Sequence, residues 1–414
     1  MASEIVLINI SGSDRPGITH RLTTILAEHH ARVLDIGQAV IHRSLALGML
    51  VQLPDGAEAS GVIKDVLFAA HEMSLQVDFS PITEADYADW VHEQGRPRHI
   101  ITTFGSSFDA GHLSQITDIL RNHGLNIAVI MRISGRPPLG QEEADEVSRA
   151  CIEWSVRGAP DDASDLRRDL LVAAQDLGID IAIQVDDIFR RNRRMICFDM
   201  DSTLIQAECI DELARAAGVH DQVSAVTEAA MNGELNFNES LQKRLALLEG
   251  LPESTLAEVA DRLPLTDGAE RLIRTLKSVG YKTAILSGGF TYFGERLRER
   301  LGIDYVYANE LEIEGGKLTG RVVGEIVDGE RKAQLVRELA EREGIKLQQV
   351  VAVGDGANDL PMLEVAGLGI AFHAKPTVRA SAGQSISSGG LDGILYLIGF
   401  RDREIDQNPP CGGF

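Results

Sequence analysis

Ile196-Cys197-Phe198-Asp199-Met200-Asp201-Ser202-Thr203-Leu204-Ile205 runs an apolar, strand-type segment into two carboxylates and then into small polar residues. Side chains two apart on a strand point the same way. A strand that stops near Asp199 therefore sends both acids out from its carboxyl end, where an open parallel sheet binds its ligands. Two carboxylates that close repel one another unless a cation or a shared proton separates them. The pair suits a hard divalent cation with oxygen ligands, and it also suits one nucleophile beside one proton carrier. Taken alone, Asp-x-Asp is better explained by a solvated turn or a helix cap.

Three later blocks change that balance. At 281–289 an apolar run, Thr283 to Leu286, enters Ser287-Gly288-Gly289, where glycines let backbone N–H groups approach a phosphate. Lys332 opens a segment extending to about Arg342, with Leu335, Val336 and Leu339 at helical spacing. At 350–360 a buried-type strand ends in Gly354-Asp355-Gly356 and adds Asn358 and Asp359. Asp355 supplies a third carboxylate for a metal.

In this order the four blocks resemble the haloacid dehalogenase superfamily of phosphatases and phosphotransferases, and within it the phosphoserine phosphatases. The resemblance covers about Arg194 to Arg401. It implies an α/β fold, with a doubly wound parallel-sheet core and a small helical cap. It also implies Asp199 as the nucleophile that becomes an aspartyl phosphate, and Asp201 as the acid that protonates the leaving alkoxide and then deprotonates water. By the same resemblance Ser287 and Lys332 are expected to hold the phosphoryl oxygens, and Mg²⁺ is expected to be bound by Asp199, Asp355 and the backbone carbonyl of Asp201, with Asp359 supporting the metal shell. The roles are chemically coherent: cationic groups neutralise charge on the equatorial oxygens, and a carboxylate nucleophile divides hydrolysis into two displacements at phosphorus.

The segment 206–265, acidic and helical in pattern, is expected to be the cap. By the family pattern Glu208 meets the substrate ammonium and Arg244 grips its carboxylate, a contact arginine can make bidentately. Met231 and Phe237 are expected as apolar walls, and Gly288 and Asn358 as further contacts. The substrate expected is O-phospho-L-serine, hydrolysed in the last step of serine biosynthesis. Another small phosphomonoester such as phosphohomoserine, or a serine-sensing regulatory protein, remains open.

The N-terminal third carries an internal repeat. A shift of 94 residues aligns Gly17 with Gly111, Leu22 with Ile116, Ile25-Leu26 with Ile119-Leu120, His29 with His123 and Val33 with Ile127, without a gap. The first loop, Ser-Gly-Ser-Asp-Arg-Pro-Gly-Ile at 11–18, resembles the signature of ACT domains, βαββαβ (ferredoxin-like) modules that sense amino acids. That resemblance implies serine or a related amino acid as effector at Asp14, Gly17 and Gly111, and assembly as a homodimer or larger through these modules. The second copy departs from the pattern: Phe108 stands at the Asp14 position, Asp109 is shifted by one, and Ala110 replaces Pro16.

The expected organisation is one module at 1–92, a second at 95–182, a phosphatase domain at 186–402 and a flexible tail at 403–414, with a linker at Gly95-Arg96-Pro97-Arg98. The basic run Arg190 to Arg194 reads as a solvated face. A formal charge of −22 over 414 residues argues against a nucleic-acid binder. No run of about 18 apolar residues suggests a membrane span. The start, Met-Ala-Ser-Glu-Ile-Val, has no signal-like core. Cys151, Cys197, Cys209 and Cys411 show no paired spacing, so free thiols in the cytoplasm are expected.

Overall fold

A computed structural model describes residues 4–54, 57–136 and 149–405, without the side chains of residues 57, 58 and 231. The chain divides between Arg96 and Pro97 into two compact units.

The first unit runs β1 (Ile5–Ser13), α1 (Ile18–Glu28), β2 (Arg32–Ile41), β3 (Ser44–Gln52), α2 (Ala57–Glu72), β4 (Gln76–Ile82) and α3 (Glu84–Gln94). Its antiparallel sheet has the order β2-β3-β1-β4. Ile18, Leu22, Ile25 and Leu26 bury one stripe of α1 against Ile8, Ile10 and Met49 of the sheet, as helical periodicity requires. Gly17 caps α1 at φ 95°, in the left-handed region that favours glycine. At the far end of α1 the His29 ring meets Asp65 of α2 at 2.8 Å. Helix α3, opened by a Thr83–Asp86 capping box, is an addition to the βαββαβ pattern.

The second unit begins with the same plan: β5 (Arg98–Gly105), α4 (Ala110–Asn122), β6 (Asn126–Arg132), β7 (Ala150–Arg157), α5 (Ala163–Leu177) and β8 (Asp180–Val185), in sheet order β6-β7-β5-β8. Ile101, Ile116, Leu120, Trp154 and Leu166 form its core. The His–Asp pair recurs as His123–Asp169 at 2.9 Å. The start of α4 differs from that of α1. Asp109 caps it in a reciprocal box with His112, and Gly111 sits inside the first turn. The proline-containing loop expected inside this module lies largely outside the described residues.

The remainder of the unit is the doubly wound sheet. Strand β9 (Met195–Phe198) leads into α6 (Cys209–Ala217), α7 (His220–Met231), α8 (Phe237–Ala246) and α9 (Ser254–Ala260), which form the cap insertion. Then follow α10 (Ala269–Ser278), β10 (Lys282–Phe290), α11 (Thr291–Leu301), β11 (Tyr305–Glu314), β12 (Lys317–Val323), α12 (Gly329–Arg342), β13 (Val350–Gly354), α13 (Leu360–Val365), β14 (Leu368–Phe372), α14 (Pro376–Ser381), β15 (Gln384–Ile386), α15 (Ile394–Leu397) and α16 (Asp402–Ile405). The sheet order is β12-β11-β10-β9-β13-β14-β15, with β11 and β12 pairing antiparallel and the other pairs parallel. Every residue of β9 is fully buried, which is why its sequence is continuously apolar. The chain enters and leaves the cap side by side: Gln206 N donates to Pro264 O at 2.9 Å and Thr266 N to Leu204 O at 2.9 Å.

Strand β8 meets the edge of the catalytic sheet through a side chain that imitates a peptide group. Gln384 Oε1 accepts from Ile183 N at 2.9 Å, and its Nε2 donates to Ile183 O. Asp180 accepts from Ser387 N, Ser388 N and Ser388 Oγ at 2.8–2.9 Å, while Arg149 pairs with buried Asp392.

The reading of the basic run Arg190 to Arg194 as a solvated face needs correction at Arg190 and Arg193. Arg190 is fully buried and donates to Glu153 of β7 at 2.5 Å, and Arg193 is also buried, bonded to Gln348 O. These two side chains find carboxylate and carbonyl acceptors away from water, while Arg191 and Arg194 stay exposed. Arg403 to Ile405, expected in a flexible tail, instead close the turn of α16, with Ile405 buried. The rest of that tail, Cys411 included, lies outside the described residues. Cys151, Cys197 and Cys209 are free and buried. No described helix is long and apolar enough to cross a membrane.

Candidate active site

The carboxyl ends of β9, β10 and β13 and the start of α12 converge on one acidic centre. Asp199, directly after β9, is 5% exposed, and its Oδ1 lies 2.8 Å from Lys332 Nζ. That contact is an ion pair, and no donor is aligned on the buried Oδ1. Lys332 is one turn into α12, which Asp328 caps by accepting from Arg331 N at 3.0 Å. With no exposed surface, Lys332 pairs with Asp359 at 2.6 Å as well. Burial alone would lower its pKa, but Asp199 and Asp359 more than offset that and raise it, so the ammonium stays charged.

Asp359 closes the other side. Its second oxygen accepts from Asp355 N at 3.1 Å and Gly356 N at 2.9 Å. Gly354 makes this fold-back possible, because a Cβ there would lie 2.4 Å from Asp359 Cγ. Thr203, fully buried, donates to Asp355 Oδ1 at 3.3 Å. Oxygens of Asp199, Asp355 and Asp359 all fall within 4.8 Å of one another. Burial first, then the neighbouring Asp199 and Asp359, push Asp355 up to about 8; burial and Asp199 push Asp359 up to about 6. Three crowded carboxylates, two buried and Asp355 half-buried, against one lysine fit a hard divalent cation. Asp359 is committed to Lys332 and two amides, which leaves Asp199 and Asp355 as the carboxylates available to an ion. The Asp201 side chain lies outside this cluster; its Oδ1 accepts from Cys209 N at 3.3 Å. Burial, then Glu208, raise Asp201 well above the carboxylate range.

On β10, Ser287 is 1% exposed and its Oγ accepts from Gly289 N at 3.0 Å. A Cβ on Gly289 would come 2.7 Å from Asp201 Oδ2, and one on Gly288 would come 2.7 Å from Phe237 Cζ. The two glycines thus admit the acid on one side and the cap on the other. Asn358 lies in the 3-10 turn after β13, its Oδ1 close over Gly356. The cap contributes Glu208, which accepts from Ser202 Oγ at 2.7 Å, and Arg244, half-buried on α8. Burial lowers the Arg244 pKa, opposed by the fields of Glu208, Asp211 and Asp201, so these groups share one space. Met231 ends α7 and its side chain lies outside the described ones. Ser202, at φ 57°, Thr203 and Asn309 are functional neighbours that sequence reasoning did not single out. The Ser-Thr pair after the two acids was a visible signal for the first two.

Asp14, Gly17 and Gly111 belong to the two modules. Gly17 and Gly111 mark unlike helix starts: no side chain caps α1, whereas Asp109 occupies the first amides of α4.

A fold of this kind, with three carboxylates and a lysine at the carboxyl edge of a parallel sheet, is that of a haloacid dehalogenase-like hydrolase, and the family model of that description matches residues 196–364. Two ACT domain models match residues 4–80 and 97–184. Over 402 residues the chain is 41% identical to the phosphoserine phosphatase SerB2 of Mycobacterium tuberculosis, covering 97% of this chain and 94% of the relative. It is 40% identical to a phosphoserine phosphatase of Streptomyces coelicolor, at 97% and 93% coverage. A solved haloacid dehalogenase family hydrolase from Salmonella enterica serovar Typhi superposes with a TM-score of 0.62 at 32% identity, covering 73% of this chain and 99% of that one. The chain belongs to the phosphoserine phosphatase family, in the form that carries two ACT domains ahead of the catalytic domain.

Proposed function

We propose that this enzyme hydrolyses O-phospho-L-serine to L-serine and phosphate through an aspartyl phosphate on Asp199, with Mg²⁺ as cofactor, as the closing step of serine biosynthesis. The observation that carries the reading is the buried Asp199–Lys332–Asp359 chain, set beside Asp201 and Asp355 beneath a cap that presents Glu208 and Arg244. In the first displacement an Asp199 oxygen attacks phosphorus and the phosphorus–oxygen bond to serine breaks. The departing alkoxide takes the proton of Asp201, whose burial and acidic neighbour Glu208 favour its protonated form. In the second, Asp201 removes a proton from water, the water oxygen attacks phosphorus, and the bond to Asp199 breaks. Ser287 and Lys332 hold the phosphoryl oxygens throughout. Mg²⁺, held by Asp199, Asp355 and the Asp201 carbonyl, would supply compensation for the charge developing on phosphate. Glu208 takes the substrate ammonium and Arg244 its carboxylate.

The two ACT domains support control by an amino acid, serine or a relative of it, and assembly as a dimer or larger. The test of the catalytic reading is Asp199→Asn. An amide cannot form the acyl phosphate, so turnover should vanish. Substantial phosphoserine hydrolysis by a variant preparation free of other phosphatases would overturn the nucleophile. A panel including phosphohomoserine tests the substrate.

A further inference from the structure

Strands β10 and β11 pair in parallel register from Ala284–Tyr305 to Leu286–Tyr307, and the next pair is Phe290–Asn309. Four steps along β10 are therefore matched by two along β11, and Ser287-Gly288-Gly289 swells out of the ladder. A backbone bulge of this kind loses sheet hydrogen bonds and needs other partners. Asn309 supplies one. Its Nδ2 donates to Gly288 O at 2.8 Å, and its Oδ1 accepts from Val327 N at 2.9 Å. The residue is 1% exposed. Val327 directly precedes Asp328, the N-cap of the helix that carries Lys332. The two segments also approach closely, since a Cβ on Gly288 would lie 3.5 Å from Val327 O.

We propose that Asn309 is a positioning residue for phosphoryl transfer: one neutral side chain that fixes the Ser287 loop against the start of the Lys332 helix, and so sets the spacing of the two groups that hold the phosphoryl oxygens. The inference rests on the roles of Ser287 and Lys332 given above. A primary amide meets the requirement because it donates at one end and accepts at the other. Aspartate keeps the shape and the acceptor but cannot donate to Gly288 O. Alanine leaves both backbone groups buried without their partner.

The test compares Asn309→Asp and Asn309→Ala with the parent enzyme by kcat, by inhibition with inorganic phosphate and with serine as competitive products, and by thermal midpoint. A misplacement on the scale of an ångström costs roughly a hundredfold, so kcat should fall about ten- to a hundredfold in both variants. Phosphate inhibition should weaken, while inhibition by serine, which meets Glu208 and Arg244, stays at the parent value. Parent-like kcat and phosphate inhibition overturn the proposal. Equal weakening of both inhibitors, or failure of both variants to fold, also overturns it, because the role is then general stability. If Asn309→Ala alone fails to fold, Asn309→Asp decides. Ser287→Ala and Lys332→Ala run alongside: full activity in those two means that the roles assigned to them have failed, whatever Asn309 does.

Discussion

Lys332 is the residue whose surroundings most alter its meaning. On a helix of ordinary amphipathic pattern a lysine faces water. Here it is buried with a carboxylate on either side, because burying an ammonium is affordable only when its charge is matched. The same crowding should make the acids responsive to a bound cation. Added Mg²⁺ should raise the thermal midpoint of the enzyme, with about 2.7 kcal/mol of stabilisation at a hundredfold excess over Kd. Asp355→Asn should lose most of that rise, and a full rise in the variant would remove Asp355 from the ligand set. Arg244 makes a separate prediction. If it grips the substrate carboxylate, Arg244→Ala should raise KM for phosphoserine by roughly ten- to a hundredfold, the equivalent of about 1.5–3 kcal/mol for a charged hydrogen bond. An aryl phosphate has no carboxylate to lose, so its KM should move little. A uniform change in both substrates would contradict the assignment.

Among the elements, the connection from β8 to β9 carries the most unexpected load. It joins the second βαββαβ module to the first catalytic strand, and its Arg190 crosses to Glu153 on β7, with both side chains nearly or fully buried. Removing Arg190 leaves buried Glu153 with the looser contact to Arg191 at 3.8 Å, at a cost of up to about 3–5 kcal/mol. Arg190→Ala should therefore lower the urea midpoint substantially. Because the pair lies apart from the acidic cluster, kcat measured at low temperature should be nearly kept. A variant as stable as the parent would mean that the pair is dispensable. The cap shows a related economy. Its entry and exit are tied by backbone hydrogen bonds at 204–206 and 264–266, and Phe237 packs over Gly288 of the Ser287 loop.

At the level of the whole molecule, the second module and the catalytic sheet form one unit, and residues 1–96 form another. The partition suggests where to cut. A chain starting at Pro97 keeps the Gln384, Asp180 and Arg190 contacts and should retain phosphoserine hydrolysis. If serine acts at the first module, half-inhibition of the shortened chain should need more serine than the full chain does. Reciprocal coupling between an effector site and an active site requires this. Identical serine sensitivity in both would place the inhibition at the active site and leave the first module to assembly. Gly17, held at φ 95° with open space beside it, should tolerate the bulk of a side chain but not its backbone preference.

Much of the protein is legible in the sequence because its signals are local. Asp199, Asp201, Ser287 and Asp355 each follow an apolar run of strand type, and the end of such a run is written in a few adjacent residues. The repeat is legible for the same reason, since Leu22 and Ile116 or His29 and His123 keep one spacing. What the sequence alone did not decide is partnership. Nothing near Arg190 announces that Glu153, 37 residues earlier in the chain, will be its counter-charge, so a basic run looked like a solvated face. Nothing near Asn309 names Gly288 or Val327. Asp109 looked like a displaced ligand-loop acid until the helix it caps was placed beside it. The local pattern determined which groups lie at the ends of strands and on the faces of helices. Only the tertiary structure, through burial and the need to satisfy every charge and hydrogen bond left without water, decided which of them meet.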